Sequence, residues 1–525
     1  MEIVILSKIW TGDPARPWAE AIAIRGGRVA AVGSEGEVRA ACPKAETISL
    51  PGRLAAPGIV DAHLHFVNFG LHLSRLQLRG LASMQACREQ VRQAVARRPK
   101  GEWILGRGWH EAEWREGREP SARDLDDLAP DHPVMLVRHC GHSVWLNSKA
   151  MALAGIRRDT PDAPGARIER DASGQPTGIC REYRKIIEKI IPPPSLAERK
   201  AAALLAQREA FRWGVTGVHS CETLQEWEAL AAVEAEGALK IRVHHLLPPY
   251  EVEAAVGRGL RLGAGSDRLW WGQVKLYADG SLGSGTALMH EPYADNPGER
   301  GLVVMDAAQL RERIELAYRH GGDVGIHAIG DLATTNSLTA IRQARRAFPG
   351  PWRDRVEHVQ LLHGNDAEVF RELGVVASVQ PVHLLTDMPV AERKWGMARC
   401  RQSYAWRTLL RHGVKLQFGS DAPVEAINPL LSFYAAGARQ TLGGEPKAGW
   451  FPEERLELPE ILHAFTAVPA WVSRKEGELG TLTPGKRADL VVFAEDLSQV
   501  PAARWAGIQV AMTLVDGEVV HDARR

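Results

Sequence analysis

The chain has 525 residues, of which 45% are hydrophobic. This length exceeds one ordinary domain and suits a barrel of roughly 200 to 400 residues that carries additional modules. The 65 basic and 64 acidic side chains give a net charge of +1, so composition gives no electrostatic reason to expect nucleic acid or an anionic membrane as a partner. We therefore expect a small-molecule substrate.

Six cysteines are scattered along the chain without Cys-x-x-Cys spacing. This pattern argues against a disulfide scaffold and against a structural zinc site, and it predicts free thiols in a reducing compartment. The sequence shows no basic leader before an apolar core and no apolar run of about 18 residues. These features predict a cytoplasmic protein that does not enter the membrane.

Short β-rich runs with glycine turns occur at both ends of the chain. They cover 3–6, 21–24 and 28–33 at one end, and 488–493 and 510–517 at the other. Neither set is large enough to bury a core alone, whereas chain ends often lie close together. We therefore expect residues 1–57 and 480–525 to form one small β-sandwich, with the centre of the chain inserted between its halves.

The centre of the chain repeats short β-rich runs separated by helix-compatible stretches. The eight runs are 57–65, 214–219, 241–245, 272–277, 324–327, 356–359, 375–380 and 414–421. Strands that alternate with helices predict parallel pairing, and eight such units close into a (β/α)₈ TIM barrel of the α/β class. The barrel is expected to comprise 58–68 and 200–479, with its active site at the C-terminal ends of the strands.

The spacing after the first barrel strand is irregular. Roughly 150 residues separate His65 from His219, far more than one crossover helix needs. We therefore predict a large insertion, 69–199, over the active-site face. Its expected elements are a helix over 82–98, strands over 101–106 and 133–138, and a hairpin turn at 171–174.

Polar side chains mark the ends of the predicted barrel strands. They are His63 and His65 on the first strand, Lys275 on the fourth, His327 on the fifth, His358 on the sixth and Asp421 on the eighth. Alternate side chains of an extended strand share a face, so His63 and His65 can converge on one ion. Nitrogen and oxygen ligands gathered in one mouth suit a divalent ion such as zinc, and their number is enough for one or two ions.

A simpler interpretation exists for each of these residues by itself. A single histidine is often a satisfied core or helix-start residue, and a single lysine often extends along the surface to reach water. The ordered set on successive strand ends favours the metal centre over a series of independent accidents.

The ordered set resembles the amidohydrolase superfamily. The segments 275–284, 327–331 and 419–424 are similar to its amidohydrolase-3 branch, which includes N-substituted formamide deformylase. Residues 480–490 are similar to the segment with which the family returns into its β-sandwich. The resemblance spans almost the entire chain, and its motifs specify the family more closely than they specify a substrate.

The resemblance implies a binuclear centre. The implied ligands are His63, His65 and Asp421 for one ion, His327 and His358 for the other, and Lys275, carbamylated by carbon dioxide, as a bridge between them. An ammonium group repels a cation, so Lys275 must lose its proton before it can bridge. Asp421 is further expected to accept a proton during attack by hydroxide and to return it to the departing amine.

Four other residues are candidate substrate contacts. His142 resembles a substrate-contacting position of the branch and is expected to donate a hydrogen bond to the carbonyl oxygen, the alternative being a structural histidine. Asp331 is expected to orient a metal-bound histidine or to contact substrate, the alternative being a helix cap, and His383 is comparable. Trp109 is expected to line a pocket, although tryptophans in an insertion also pack its core.

The sequence thus predicts a metal-dependent hydrolase of a non-peptide C–N bond, in an amide, N-acyl or N-formyl compound. Two alternatives stay open: an ester or lactone hydrolase with the same centre, and a non-catalytic scaffold that keeps the fold. A mononuclear centre is a further alternative, because the sequence does not show whether Lys275 is carbamylated. The sequence does not set the oligomeric state, and a homodimer is compatible with it.

Overall fold

The computed structural model describes residues 2–524. The strands are β1 (Glu2–Trp10), β2 (Trp18–Arg25), β3 (Arg28–Gly33), β4 (Glu46–Pro57), β5 (Ile59–Leu64), β6 (Leu76–Gln77), β7 (Ile104–Trp109), β8 (Val134–Arg138), β9 (Ser143–Leu146), β10 (Arg167–Arg170), β11 (Pro176–Arg181), β12 (Val215–Cys221), β13 (Arg242–Leu247), β14 (Leu269–Tyr277), β15 (Asp323–Ala328), β16 (Arg355–His358), β17 (Val376–Val379), β18 (Leu416–Phe418), β19 (Leu490–Phe493), β20 (Val510–Val515) and β21 (Glu518–Asp522).

The α-helices are α1 (Glu35–Ala41), α2 (Phe66–Leu73), α3 (Met84–Val95), α4 (Arg123–Asp126), α5 (Ser148–Leu153), α6 (Arg184–Glu188), α7 (Leu196–Arg212), α8 (Leu224–Ala235), α9 (Val252–Gly257), α10 (Ala307–Arg319), α11 (Asp331–Ala347), α12 (Asp366–Leu373), α13 (Leu384–Trp395), α14 (Met397–Cys400), α15 (Trp406–Arg411), α16 (Pro429–Ala438), α17 (Leu458–Phe465) and α18 (Ala467–Val472). The chain divides into two compact units, one comprising the residues up to Phe69 together with those from Ala203 onward, and the other comprising Gly70–Ala202.

The first unit contains the predicted barrel, which the structure confirms. Its strands follow the order β5-β12-β13-β14-β15-β16-β17-β18, and all seven neighbouring pairs are parallel. Beyond the last strand, the Asp421 N–H donates to the His63 carbonyl (2.7 Å) and the His65 N–H donates to the Ala422 carbonyl (2.8 Å). Gly419 permits this approach, because a Cβ atom there would lie 2.5 Å from the His63 nitrogen.

Strands from both chain ends form one sheet, as the sequence predicts. Its order is β21-β20-β19-β4-β1-β2-β3, with β1 and β4 parallel and the other neighbouring pairs antiparallel. Apolar side chains of both ends, including Ile5, Ile22, Leu490 and Met512, share one core. Burying this surface is the main favourable contribution to the pairing of the two ends.

Several helices of this unit begin or end where the sequence carries capping residues. Asp306 caps α10 by accepting the backbone N–H groups of Ala308 and Gln309, and the Gln309 side chain accepts the Asp306 N–H in return. Thr223 and Glu226 form the same reciprocal box at α8. Gly374 ends α12 in the left-handed region, at φ 61°, where a glycine has no steric penalty.

The second unit is the insertion after the first barrel strand. Its sheet has the order β10-β11-β9-β8-β7-β6, in which β6, β7 and β8 are parallel and the other neighbours antiparallel. The predicted helix, two strands and hairpin turn correspond to α3, β7, β8 and the β10–β11 connection. Within residues 2–524, no helix has both the length and the apolar character required to span a bilayer.

Candidate metal centre

Two groups of side chains at the strand ends have the spacing of metal ligands. The first comprises His63, His65 and Asp421, and the second comprises His358, His383 and Asp421. In each group, one ligand atom per residue lies within 4.8 Å of the others. Asp421 belongs to both groups, so its carboxylate is the point on which the two sets of imidazoles converge.

Acceptor groups orient the two histidines of the first strand. Nδ1 of His63 lies 2.7 Å from Oε2 of Glu357, and Nδ1 of His65 lies 2.8 Å from the carbonyl oxygen of Cys221. Both partners accept, so Nδ1 donates and Nε2 keeps its lone pair. The two Nε2 atoms lie 3.6 Å and 3.3 Å from Oδ1 of Asp421. This is the arrangement in which imidazoles bind a metal ion.

His358 is oriented in the same way, from the end of β16. Its Nδ1 lies 2.7 Å from Oε1 of Gln380, which leaves Nε2 as the nitrogen that can bind an ion. The backbone of His358 is in the left-handed region, at φ 74°, and that of Asp421 is also there, at φ 60°. Non-glycine residues rarely adopt this conformation, and such strain is concentrated at functional sites.

Electrostatics keep His63, His358 and Asp421 in the protonation states that a metal ion requires. Burial lowers the pKa of His63 and holds the pKa of His358 well below its ordinary value, so both rings stay neutral. Burial opposes ionisation of Asp421, but the adjacent His65 side chain and the nearby imidazoles of His63 and His358 hold the pKa of Asp421 well below its usual range. Neutral imidazoles and an ionised carboxylate are ready to bind a cation.

Lys275, near the end of β14, is buried in the same region. Its Nζ lies 5.0 Å from the ring centroid of Tyr277 and has no hydrogen-bond partner within residues 2–524. Burial is the largest effect that lowers the pKa of His327, and the charge of Lys275 is the second largest. A buried ammonium without a partner is costly, and conversion to an anion beside bound cations would remove that cost. Lys275 therefore fits the bridging role that the sequence resemblance implies.

His327, at the end of β15, lies outside the two ligand groups. Its Nε2 is 2.8 Å from the carbonyl oxygen of Gly280, which leaves Nδ1 without that restraint. Its ring centroid lies 4.4 Å from that of His358, and burial lowers its pKa to about 4. Of the six predicted metal ligands, the structure thus places four in the two groups, and Lys275 and His327 beside them.

Two buried carboxylates and one buried amide at the site were not identified from the sequence. Glu357 holds His63 and forms an ion pair with Arg355, with Nε and Oε1 2.7 Å apart. Gln380 holds His358. The third, Asp61, accepts hydrogen bonds from the backbone and hydroxyl groups of Ser420, and burial raises the pKa of Asp61 to about 7. Glu357 directly precedes His358 on its strand, but that position alone does not show that its side chain contacts His63.

Asp331 lies at the start of α11, next to the cap position, which Gly330 occupies without a side-chain cap hydrogen bond. It is the first residue of α11, and its Oδ1 accepts the backbone N–H groups of His290 (2.8 Å) and Leu332 (2.9 Å). These bonds fit the start of a helix. His383, in contrast, lies in the second ligand group, with Nε2 3.8 Å from Oδ2 of Asp421.

The two remaining candidates lie in the Gly70–Ala202 unit. The side chain of His142 is 68% exposed, and its Nδ1 lies 2.8 Å from Oε1 of Glu182. Trp109 is fully buried, its indole N–H donates to the Leu136 carbonyl (2.8 Å), and its ring packs in one core with two other tryptophans. Trp109 presents no accessible surface in this structure, which fits the core alternative.

A barrel that gathers histidines and an aspartate at its strand ends has the architecture of a metal-dependent hydrolase. A crystal structure of an uncharacterized metal-dependent hydrolase from Pyrococcus furiosus has a TM-score of 0.77 to this chain and 32% sequence identity, over 94% of this chain and 98% of that one. The amidohydrolase family model, Amidohydro_3, matches residues 46–521. The chain therefore belongs to the amidohydrolase family, which confirms the resemblance seen in its motifs.

Two relatives show how far this similarity extends. The putative amidohydrolase YtcJ of Bacillus subtilis is 33% identical over 518 residues, which cover 96% of each protein. The N-substituted formamide deformylase of Arthrobacter pascens is 27% identical over 538 residues, which cover 99% of this chain and 98% of that protein. Family membership, the structural neighbour and the His/Asp groups together support a metal-dependent hydrolase.

Proposed function

We propose that this protein is a metal-dependent hydrolase of a non-peptide C–N bond, in an amide, N-acyl or N-formyl compound of small size. The observation that carries the proposal is the convergence of the Nε2 atoms of His63 and His65 on the Asp421 carboxylate. Similarity to a protein named as an N-substituted formamide deformylase supports the bond type. The substrate is proposed as a free small molecule, with no nucleic acid or membrane involved.

The residues present fit one or two divalent ions, and their nitrogen and oxygen donors suit zinc. The proposed ligands are His63, His65 and Asp421 for one ion, His327 and His358 for the other, and carbamylated Lys275 for both. When bound, an ion supplies Lewis acidity, which polarises a carbonyl group and makes water acidic enough to react near neutral pH.

The protein's own contribution is orientation and proton transfer. Glu357 and Gln380 hold the rings of His63 and His358, so that their Nε2 atoms stay directed into the site. Asp421, kept ionised, accepts a proton from the attacking water on a carboxylate oxygen and returns it to the departing nitrogen. An amine is a poor leaving group without that proton, whereas an alcohol leaves an ester more readily. Because the amine leaving group requires this proton, a proton carrier such as Asp421 favours amide hydrolysis over ester hydrolysis.

All six cysteines are unpaired, which supports a reducing compartment, and we propose the cytoplasm.

A non-catalytic scaffold tends to lose ligands, whereas each ligand expected from the family resemblance is present in this chain.

A hydrolysis screen tests the proposal directly. Purified protein reconstituted with zinc is incubated with N-substituted formamides, N-acetyl amines, N-acyl amino acids and the matched esters, beside metal quantification. We expect C–N cleavage that chelation abolishes and zinc restores, with Asp421→Asn as the inactive control. Faster turnover of every ester than of its matched amide would favour the ester hydrolase, and a metal-loaded protein that cleaves no compound would contradict the proposal.

A further inference from the structure

His383 differs from the other histidines of the centre in the environment of its ring. It follows β17 in a short 3₁₀ helix, Pro381–His383, and is buried. Its Nε2 lies 3.8 Å from Oδ2 of Asp421 and has no hydrogen-bond partner in the part of the chain that the structure describes. The atom is therefore directed into the metal centre with its hydrogen-bonding capacity unused.

The neighbours of the other ring nitrogen fix the tautomer of His383. Nε2 of Gln360 lies 3.4 Å from Nδ1 of His383 and 3.5 Å from Oδ2 of Asp387. The same carboxylate oxygen accepts the hydroxyl of Tyr404 at 2.6 Å. Because Oδ2 of Asp387 is an acceptor, the Gln360 amide faces it with its NH₂ group. The same NH₂ group then also donates to Nδ1 of His383. Nδ1 of His383 accepts, and its proton resides on Nε2.

This tautomer is the reverse of that found at three of the candidate ligands, His63, His65 and His358. Nδ1 of His63, of His65 and of His358 faces an acceptor, so their Nε2 atoms carry lone pairs. Nε2 of His383 carries a hydrogen and cannot bind a cation, although its position groups it with His358 and Asp421. A buried N–H without a partner needs an acceptor, and the oxygen of a bound carbonyl group is one.

We propose that His383 donates a hydrogen bond from Nε2 to the carbonyl oxygen of the substrate, and that Gln360 is the positioning residue that keeps His383 in this tautomer. The inference rests on the proposed function, because it requires a substrate with a carbonyl group. The bond strengthens as negative charge develops on that oxygen during attack, which lowers the barrier. His383 thereby becomes a catalytic residue that is distinct from the metal ligands.

The test separates a hydrogen-bond donor from a ligand. In zinc-reconstituted full-length protein, we expect His383→Leu to keep the zinc content of the wild type. The same variant should lower kcat on the cleaved compounds of the formamide and N-acetyl amine panel by about 100-fold to 1,000-fold, the usual loss for one such donor. His383→Gln, whose amide N–H occupies a position similar to Nε2, should recover at least about 10-fold of that loss. Loss of zinc by His383→Leu would show a ligand, and full activity would overturn the donor role.

Gln360→Met tests the positioning role through a signal that packing alone would not move. In ¹⁵N-histidine NMR of the zinc-loaded protein, we expect His383 to show a protonated Nε2 and an unprotonated Nδ1, with its signals assigned by their loss in His383→Leu. In Gln360→Met the two nitrogens should shift towards a mixture of tautomers while zinc content is unchanged. A protonated Nδ1 in the wild type would overturn the inference. If the wild type cleaves no compound of the panel, the proposed function fails, and the NMR spectrum still decides the tautomer.

Discussion

Nδ1 of His63 lies 2.7 Å from Oε2 of Glu357, and both side chains are buried inside the barrel. The other carboxylate oxygen of Glu357 lies 2.7 Å from Nε of Arg355. Burial opposes the charge on Glu357, but Arg355 and His63 outweigh it and hold the pKa of Glu357 far below its usual value. One carboxylate thus neutralises a buried guanidinium and also orients a candidate metal ligand.

Substituting Glu357→Gln should therefore weaken both stability and metal binding. Leaving Arg355 uncompensated should lower the free energy of unfolding by about 3 to 5 kcal/mol. The looser His63 ring should lower zinc affinity by about 10-fold to 100-fold. Urea unfolding and zinc retention against a chelator measure the two effects. Glu372→Gln, which removes an exposed ion pair with Arg342, is the matched control and should cost about 0 to 1 kcal/mol. Equal behaviour of the two variants would contradict this role.

The second prediction concerns Lys275. In a variant that lacks this side chain, a small carboxylic acid can take the place of the proposed carbamate. Lys275→Ala should lose zinc and activity, and formate, acetate or propionate should restore part of both by occupying the space that the carbamate leaves. Zinc content and turnover across a carboxylate titration measure the rescue. Lys415→Ala, at an exposed lysine 4.8 Å above the Trp471 ring, is the control and should change neither quantity. Unchanged metal content and rate in Lys275→Ala would count against the bridge.

Asp421 supplies a third prediction, which its backbone conformation sharpens. Asparagine tolerates the left-handed conformation at φ 60°, so Asp421→Asn should keep the hydrogen bond from its N–H to the His63 carbonyl and the barrel fold. Loss of the proton carrier should lower kcat/KM by about 100-fold to 10,000-fold. Asp421→Ala should be equally inactive and less stable by a further ~1 to 2 kcal/mol, because alanine is strained there. Circular dichroism and turnover check both variants, and full activity in Asp421→Asn would refute the proton transfer.

The sequence predicted the barrel well because each strand has its own local pattern. Its eighth strand is shorter than the predicted run, 414–421, and spans Leu416–Phe418. The residues after it leave the strand conformation, since the backbone and hydroxyl of Ser420 bond to Asp61 and the Asp421 N–H bonds to His63. These contacts join residues more than 350 positions apart in the chain, and no local pattern reports them.

The candidate metal ligands could be selected from the sequence because their side chains are polar at the ends of apolar strands. The groups that orient them were not, because their role depends on a partner from elsewhere in the chain. Glu357 and His63 are 294 positions apart, and a buried glutamate at a strand end has no distinctive spacing. The tautomer of His383 likewise depends on Gln360, which becomes informative only when Asp387 shows which way its amide faces. The residue type of Trp109 does not decide its role, because a tryptophan can either line a pocket or pack in a core.

Asp323, the first residue of β15, leads to a prediction about pH. Its Oδ1 accepts the backbone N–H of Arg353 (2.7 Å) and lies 3.0 Å from Nη2 of Arg474. Burial and the nearby Asp354 raise the pKa of Asp323 to about 6, compared with about 3.9 in an unfolded chain. Between these two values the folded protein keeps a proton that the unfolded chain has released. The free energy of unfolding therefore falls as the pH rises from about 4 to about 6.

Asp323→Asn should remove this contribution, because an amide does not titrate. The stability of the wild type relative to the variant should decrease by about 3 kcal/mol as the pH rises through that window, since each unit of pKa corresponds to about 1.4 kcal/mol. Urea unfolding of metal-free protein at pH 4, 5, 6 and 7 measures the difference and keeps metal release out of it. Asp159→Asn, at an exposed aspartate, is the control and should show a constant difference. A constant difference for Asp323→Asn as well would mean that its carboxyl group titrates alike in the folded and unfolded chain.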